Sequence, residues 1–146
     1  MNEASTILLV EDNPDDVELI RYAFAKAGIP NPLVVATDGD DAVNYVSGTH
    51  AYTDRRCYPH PALVLLDLKL PRRSGFEVLD YIRQHKPIKT VPVVVLTSSN
   101  QPEDIEAAYA SGANSYLVKP VNRDGLLEMV KSIEAYWIKI NRVTGE

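Results

Sequence analysis

Five short apolar runs recur along the chain, at Thr6–Val10, Leu33–Ala36, Ala62–Leu66, Pro92–Leu96 and Ser115–Val118, each followed by a segment with helical spacing. Runs this short, rich in Val, Ile and Leu and weak in polar alternation, suit strands covered on both faces. Between them, Val17, Ile20, Phe24 and Ala27 predict a helix over Pro14–Ala27, with Asn13 as N-cap and Gly28 as the stop. Asp40–Ser47 reads as a second helix closed by Gly48. Ser74–Gln84 reads as a third, with Ser74 and Glu77 at capping-box spacing. Pro102–Ser111 and Asn122–Asn141 complete the set.

Strand–helix alternation repeated five times predicts an α/β fold in which a parallel sheet carries helices on both faces. The expected arrangement is the flavodoxin-like (βα)5 doubly wound sheet, with strand order 2-1-3-4-5. Gly48–Pro61 has no period and reads as a long surface loop. With no internal repeat and no linker, residues 1–146 read as one domain, its core at about 5–135 and its last helix, about 122–141, extending from it.

Composition narrows the function classes. A net charge of -5 argues against a nucleic-acid binder, which needs clustered Lys and Arg. The start MNEASTILLVEDNPDD lacks the basic and long apolar regions of a signal peptide, and no run approaches the roughly 20 apolar residues of a membrane span. A cytoplasmic protein is therefore expected. Cys57 is the single cysteine and reads as a free thiol, and His50, His60 and His85 lack metal-ligand spacing and read as surface residues.

In an open parallel sheet, functional groups gather at the carboxyl ends of the strands, near the point where strand order reverses. Here the first strand ends in Glu11 and Asp12, the third in Asp67, the fourth in Thr97 and the fifth in Lys119. Carboxylates brought together there repel one another, so a positive charge must sit among them. All-oxygen ligation suits Mg²⁺, and Lys119 supplies a second positive charge able to pair with a carboxylate or a phosphoryl oxygen. The group describes phosphoryl transfer to a carboxylate: Asp67 attacks, Mg²⁺ and Lys119 neutralise charge, and Thr97 holds an equatorial oxygen. Glu11 and Asp12 alone would read as an acidic helix start favoured by the macrodipole. Tyr116 alone would read as a half-buried strand aromatic, and Lys119 alone as a solvated charge.

The segments LLVEDN, LLDLKLP, Ser74–Gly75, VVLTSS and SYLVKP, in this order and spacing, resemble the response-regulator receiver family over roughly residues 5 to 135. The resemblance implies Asp67 as phospho-acceptor for a histidine kinase. It implies Mg²⁺ held by Asp12, Asp67 and the Lys69 main-chain carbonyl, with Glu11 acting through water. It makes Thr97 the switch hydroxyl, Tyr116 the switch aromatic and Lys119 the phosphate-pairing cation, and it implies a cis Lys119–Pro120 bond. The resemblance also implies that Lys69 and Ser99, two residues beyond Asp67 and Thr97, tune how water reaches the phosphoryl group.

The last helix, about 30 Å at roughly 1.5 Å per residue, overhangs the sheet. Leu126, Leu127, Val130, Ile133 and Trp137 form the stripe expected to face the core; Met129, Tyr136 and Ile140 widen it into a candidate partner surface together with Trp137. The ending IEAYWI and the loop with Tyr52, Arg55 and Arg56 are similar to single-domain regulators paired with phytochrome-type histidine kinases. Members of that branch commonly dimerise through the fourth helix, fifth strand and fifth helix. With no output domain expected, signalling is expected through protein contacts, or by passing the phosphoryl group to a histidine phosphotransfer protein. The Arg72–Arg73 pair with Lys69 reads either as a solvated loop or as a contact to an acidic or phosphorylated partner. A haloacid-dehalogenase-like phosphatase would want an acid at Lys69, and a flavodoxin-like cofactor binder would want a phosphate loop where Glu11–Asp16 is acidic. A receiver-like module that no longer takes phosphate would usually have lost one of these groups.

Overall fold

Strands that bury both faces need helices on both, and the computed structural model, which describes residues 1–144, resolves that demand in one sheet. The elements alternate as β1 (Ile7–Val10), α1 (Pro14–Lys26), β2 (Leu33–Ala36), α2 (Gly39–Ser47), β3 (Leu63–Leu66), α3 (Gly75–Gln84), β4 (Val93–Thr97), α4 (Pro102–Ala110), β5 (Ser115–Val118) and α5 (Arg123–Ile133). The sheet order is β2-β1-β3-β4-β5 with every pairing parallel, as expected. The inner strands β1, β3 and β4 are buried throughout, whereas the edge strands β2 and β5 are half-buried. Two-residue alternation divides the core: Leu8, Val10, Val64, Leu66 and Val93 pack toward α2 and α3. Ile7, Leu9, Leu63, Leu65, Val94 and Leu96 pack toward α1 and α5.

The expected boundaries hold within a residue or so, for reasons visible at the caps. Asn13 accepts from the amides of Asp15 and Asp16, Asp38 from Asp41, Ser74 from Glu77 and Asn122 from Gly125. These bonds place each Ncap outside its helix.

Two segments and one histidine depart from expectation. The Gly48–Pro61 segment is more than a surface loop: it makes a 3₁₀ turn at His50–Tyr52, and its Tyr52 and Tyr58 pack edge-on against the fully buried Tyr45 at 5.0 and 6.3 Å. Tyr45 donates to the Pro59 carbonyl and Arg55 to the carbonyls of Tyr58 and Val46. Aperiodic sequence hid this packing because aromatic contacts need no regular spacing. His85 is likewise half-buried, stacked on Tyr81.

The second segment is the last helix, which runs as α-helix to Ile133 and then as π-helix over Glu134–Ile140. A π turn adds one residue per turn, so the residue carried back to the core lies five beyond Ile133 rather than four. Ile138 is therefore the buried residue, and Trp137 only packs partly against the core. Tyr136 and Ile140 are exposed, Met129 is half-buried, and Tyr136 meets Trp137 edge-on at 4.8 Å. No helix among the described residues is long and apolar enough to cross a membrane.

Candidate active site

The alternation that sorts the core also builds the site. Ile7 and Leu9 lead to Glu11 on the α1/α5 side, as Leu63 and Leu65 lead to Asp67 and Leu117 to Lys119. Because Leu9 pairs with Leu65, Glu11 and Asp67 arrive level with each other, and the Asp67 amide extends the ladder to the Val10 carbonyl. The Lys119 amide likewise donates to the Thr97 carbonyl at 2.7 Å, which brings the ends of β4 and β5 together.

Lys119 Nζ donates to Glu11 Oε1 at 2.6 Å, Asp16 Oδ2 at 2.9 Å and Asp67 Oδ2 at 3.3 Å. Three protons meet three carboxylates. The Lys119 side chain is only 9% exposed; burial alone would lower its pKa, but the hydrogen bonds to Glu11 and Asp16 and the Asp67 charge outweigh that, so it is raised and the ammonium stays charged. Burial pushes the Glu11 carboxyl up, against the pull of Lys119 and of the Asn13 amide, which donates to Glu11 Oε2. Asp67 is buried, and its Oδ1 accepts from the Leu68 amide at 2.7 Å. That bond sets the carboxylate plane and leaves Oδ2 toward the lysine.

Carboxylate oxygens of Glu11, Asp12 and Asp67 lie within 4.8 Å of one another, with Asp12 exposed and the other two buried. A hard divalent cation that keeps some of its waters fits this all-oxygen set, as Mg²⁺ or Mn²⁺ would. The loop from Asp67 to α3 is held close by Gly75, whose amide donates to the Leu68 carbonyl. A Cβ there would fall 2.2 Å from the Asp67 carbonyl oxygen, so only glycine fits.

Thr97 follows Val93 and Val95 on the opposite parity and is fully buried at the end of β4. Its hydroxyl accepts from the Ser99 amide at 3.5 Å, Ser99 Oγ donates to Asp104 at 2.5 Å, and Tyr116 donates to the Ser99 carbonyl at 2.9 Å. The half-buried Tyr116 ring packs against Leu68, Val95 and Ala108. It thus joins the loop after β4 to β5. Lys69 is exposed on the loop after Asp67.

Glu11, Asp12, Asp67 and Lys119 therefore converge, while Thr97 and Tyr116 form an adjoining network. Asp16 and Asp104 were missed by sequence reasoning; both look like ordinary first-turn acids favoured by the helix dipole, and only side-chain reach distinguishes them. The Lys119–Pro120 bond, expected cis, is trans, as is every peptide bond among the described residues. Trans is the lower-energy form of an X–Pro bond by about 0.5–1 kcal/mol, and Lys119 reaches the carboxylates from it. In the basic loop Arg72 pairs with Asp38 at 3.4 Å and Arg73 with Asp40 at 3.2 Å, which ties the still-exposed loop to the start of α2.

The comparisons with known proteins agree with this geometry. Residues 7–131 match the model of the response regulator receiver domain. The response regulator Rcp1 of Synechocystis sp. is 38% identical over 138 residues, spanning 94% of this chain and 92% of Rcp1. The crystal structure of the phosphorylated cyanobacterial phytochrome response regulator RcpA superposes with a TM-score of 0.90 at 36% identity, covering 97% of this chain and 99% of RcpA. The Mn²⁺-bound form of Rcp1 superposes with a TM-score of 0.87 at 36% identity, over 97% and 99% of the two chains. The chain belongs to the response regulator receiver family.

Proposed function

We infer that this receiver takes a phosphoryl group from a phosphohistidine of a histidine kinase onto Asp67 Oδ2, with Mg²⁺ as the resident cation. The observation that carries the reading is the convergence of Asp67 with Lys119 and the Glu11/Asp12 carboxylates at the strand ends. In the transfer, the donor P–N bond breaks as the Asp67 O–P bond forms, and the imidazole leaves with its ring nitrogen free to take a proton. Asp12, Asp67 and the Lys69 carbonyl would hold the cation, with Glu11 acting through water; the ion would screen charge on the phosphoryl oxygens. Lys119 would pair with one phosphoryl oxygen and Thr97 would donate its hydroxyl to another, drawing on the Tyr116 network to report the change.

Likeness to phytochrome response regulators supports a phytochrome-type kinase as the donor. The exposed Tyr136 and Ile140, beside Trp137 and Met129, with α4, β5 and α5, would form a homodimer or partner surface. Acetyl phosphate with Mg²⁺ is expected to add one phosphoryl group to the protein, and none to the Asp67→Asn variant, by intact mass. Equal labelling of that variant would place the acceptor elsewhere. Phosphotransfer profiling against purified histidine kinases, phytochrome-type ones included, would identify the donor.

A further inference from the structure

The phosphoryl-acceptor reading leaves Asp16 without a role, although it holds Lys119 as closely as any other carboxylate save Glu11. All three ammonium protons are engaged, by Glu11, Asp16 and Asp67. A phosphoryl oxygen on Asp67 can therefore take a proton from Lys119 only if one carboxylate gives it up. The three differ in what release costs. The Glu11 side chain is 2% exposed and its other oxygen is fixed by the Asn13 amide, so losing the lysine would leave a buried charge half-paired. Esterification of Asp67 Oδ2 ends its own claim on the ammonium, the longest of the three contacts at 3.3 Å, so a shift of the ammonium onto the transferred group is opposed by the two remaining holders, Glu11 and Asp16. Asp16 is 33% exposed and sits in the first turn of α1, where water and the helix dipole can take over from the lysine.

Resting on the acceptor reading, we propose that Asp16 is a positioning residue that parks the Lys119 ammonium in the resting state and releases it to the phosphoryl group, Glu11 being the permanent anchor. Asp16 thus competes with the phosphoryl group for the position of the ammonium and sets how readily the modified state forms.

Beryllofluoride, a non-covalent phosphoryl mimic that binds a carboxylate, tests this at equilibrium, by titration with Mg²⁺ present. Asp16→Ala and Asp16→Asn are expected to bind it at least threefold more tightly than the unaltered protein, and Asp16→Glu within twofold of it. The gain should vanish when the same substitutions are made on a Lys119→Met background. Thermal melting of each variant identifies any that fail to fold, and Asp16→Asn, isosteric and at a partly exposed site, is the one expected to survive if Asp16→Ala does not. Unchanged or weaker binding in the folded Asp16 variants overturns the proposal. So does a gain that persists without Lys119, since it would then reflect only a less negative site. An unaltered protein that neither binds beryllofluoride nor takes label from acetyl phosphate would instead overturn the acceptor reading itself.

Discussion

Replacing Lys119 with methionine keeps most of the aliphatic stem and removes the one ammonium that Glu11, Asp16 and Asp67 share. Deleting one partner of a buried ion pair costs about 3–5 kcal/mol because the other charge is left buried. The lower end, about 3 kcal/mol, applies here because Asp16 is partly exposed and can be rehydrated, while Glu11 cannot. For 146 residues this corresponds to a melting point lower by roughly 9 °C, at about 3 °C per kcal/mol. The assay is urea unfolding in EDTA and again in saturating Mg²⁺. The divalent cation returns positive charge beside Glu11 and Asp67, two of the three carboxylates, so at least half of the loss should be recovered with it. Acid should recover part of it too. Burial already holds Glu11 above its ordinary value of 4.5, and without the lysine it rises further. A carboxyl whose folded pKa exceeds its unfolded one binds more protons when folded, so its contribution grows as pH falls from 7 toward 4.5 and is lost as pH rises. A loss in EDTA below about 1 kcal/mol, the scale of an exposed pair, would refute this reasoning. A loss that Mg²⁺ leaves unchanged would refute it as well.

Asp12→Asn should weaken Mg²⁺ binding by about tenfold or more with little change in metal-free stability, because Asp12 is exposed and not among the lysine's partners; titration calorimetry measures the first and urea unfolding in EDTA the second. Gly75→Ala should cost about 1–3 kcal/mol and slow labelling by acetyl phosphate, since the new methyl collides with the Asp67 and Leu68 backbone. Normal labelling of a stable variant would show that the loop yields. Ile138→Ala should cost about 2–3 kcal/mol and Ile140→Ala under about 0.5 kcal/mol in urea unfolding, because Ile138 is buried and Ile140 is 66% exposed. The reverse ranking would mean that the helix keeps α phase to its end.

Much of this protein is decided locally. The apolar runs carry their own period, and Asn13, Asp38, Ser74 and Asn122 cap their helices with bonds spanning three residues or fewer. The acids, the threonine and the lysine are placed at strand ends by chain position alone, which is why the acceptor candidate and its companions were legible. Other features depend on distance in space that no spacing encodes. Asp16 reaches Lys119 from 103 residues away, and Asp104 reaches the loop after β4 through Ser99. Tyr45, Tyr52 and Tyr58 find one another across an aperiodic segment. The π turns after Ile133 exchange Trp137 for Ile138 in the core. Sequence determines which groups each element can offer, because propensity, capping and periodicity act within a few residues. Tertiary packing alone decides which charges share a proton donor and which side chain fills the last space in the core, because burial and Coulombic energies depend on separation in space.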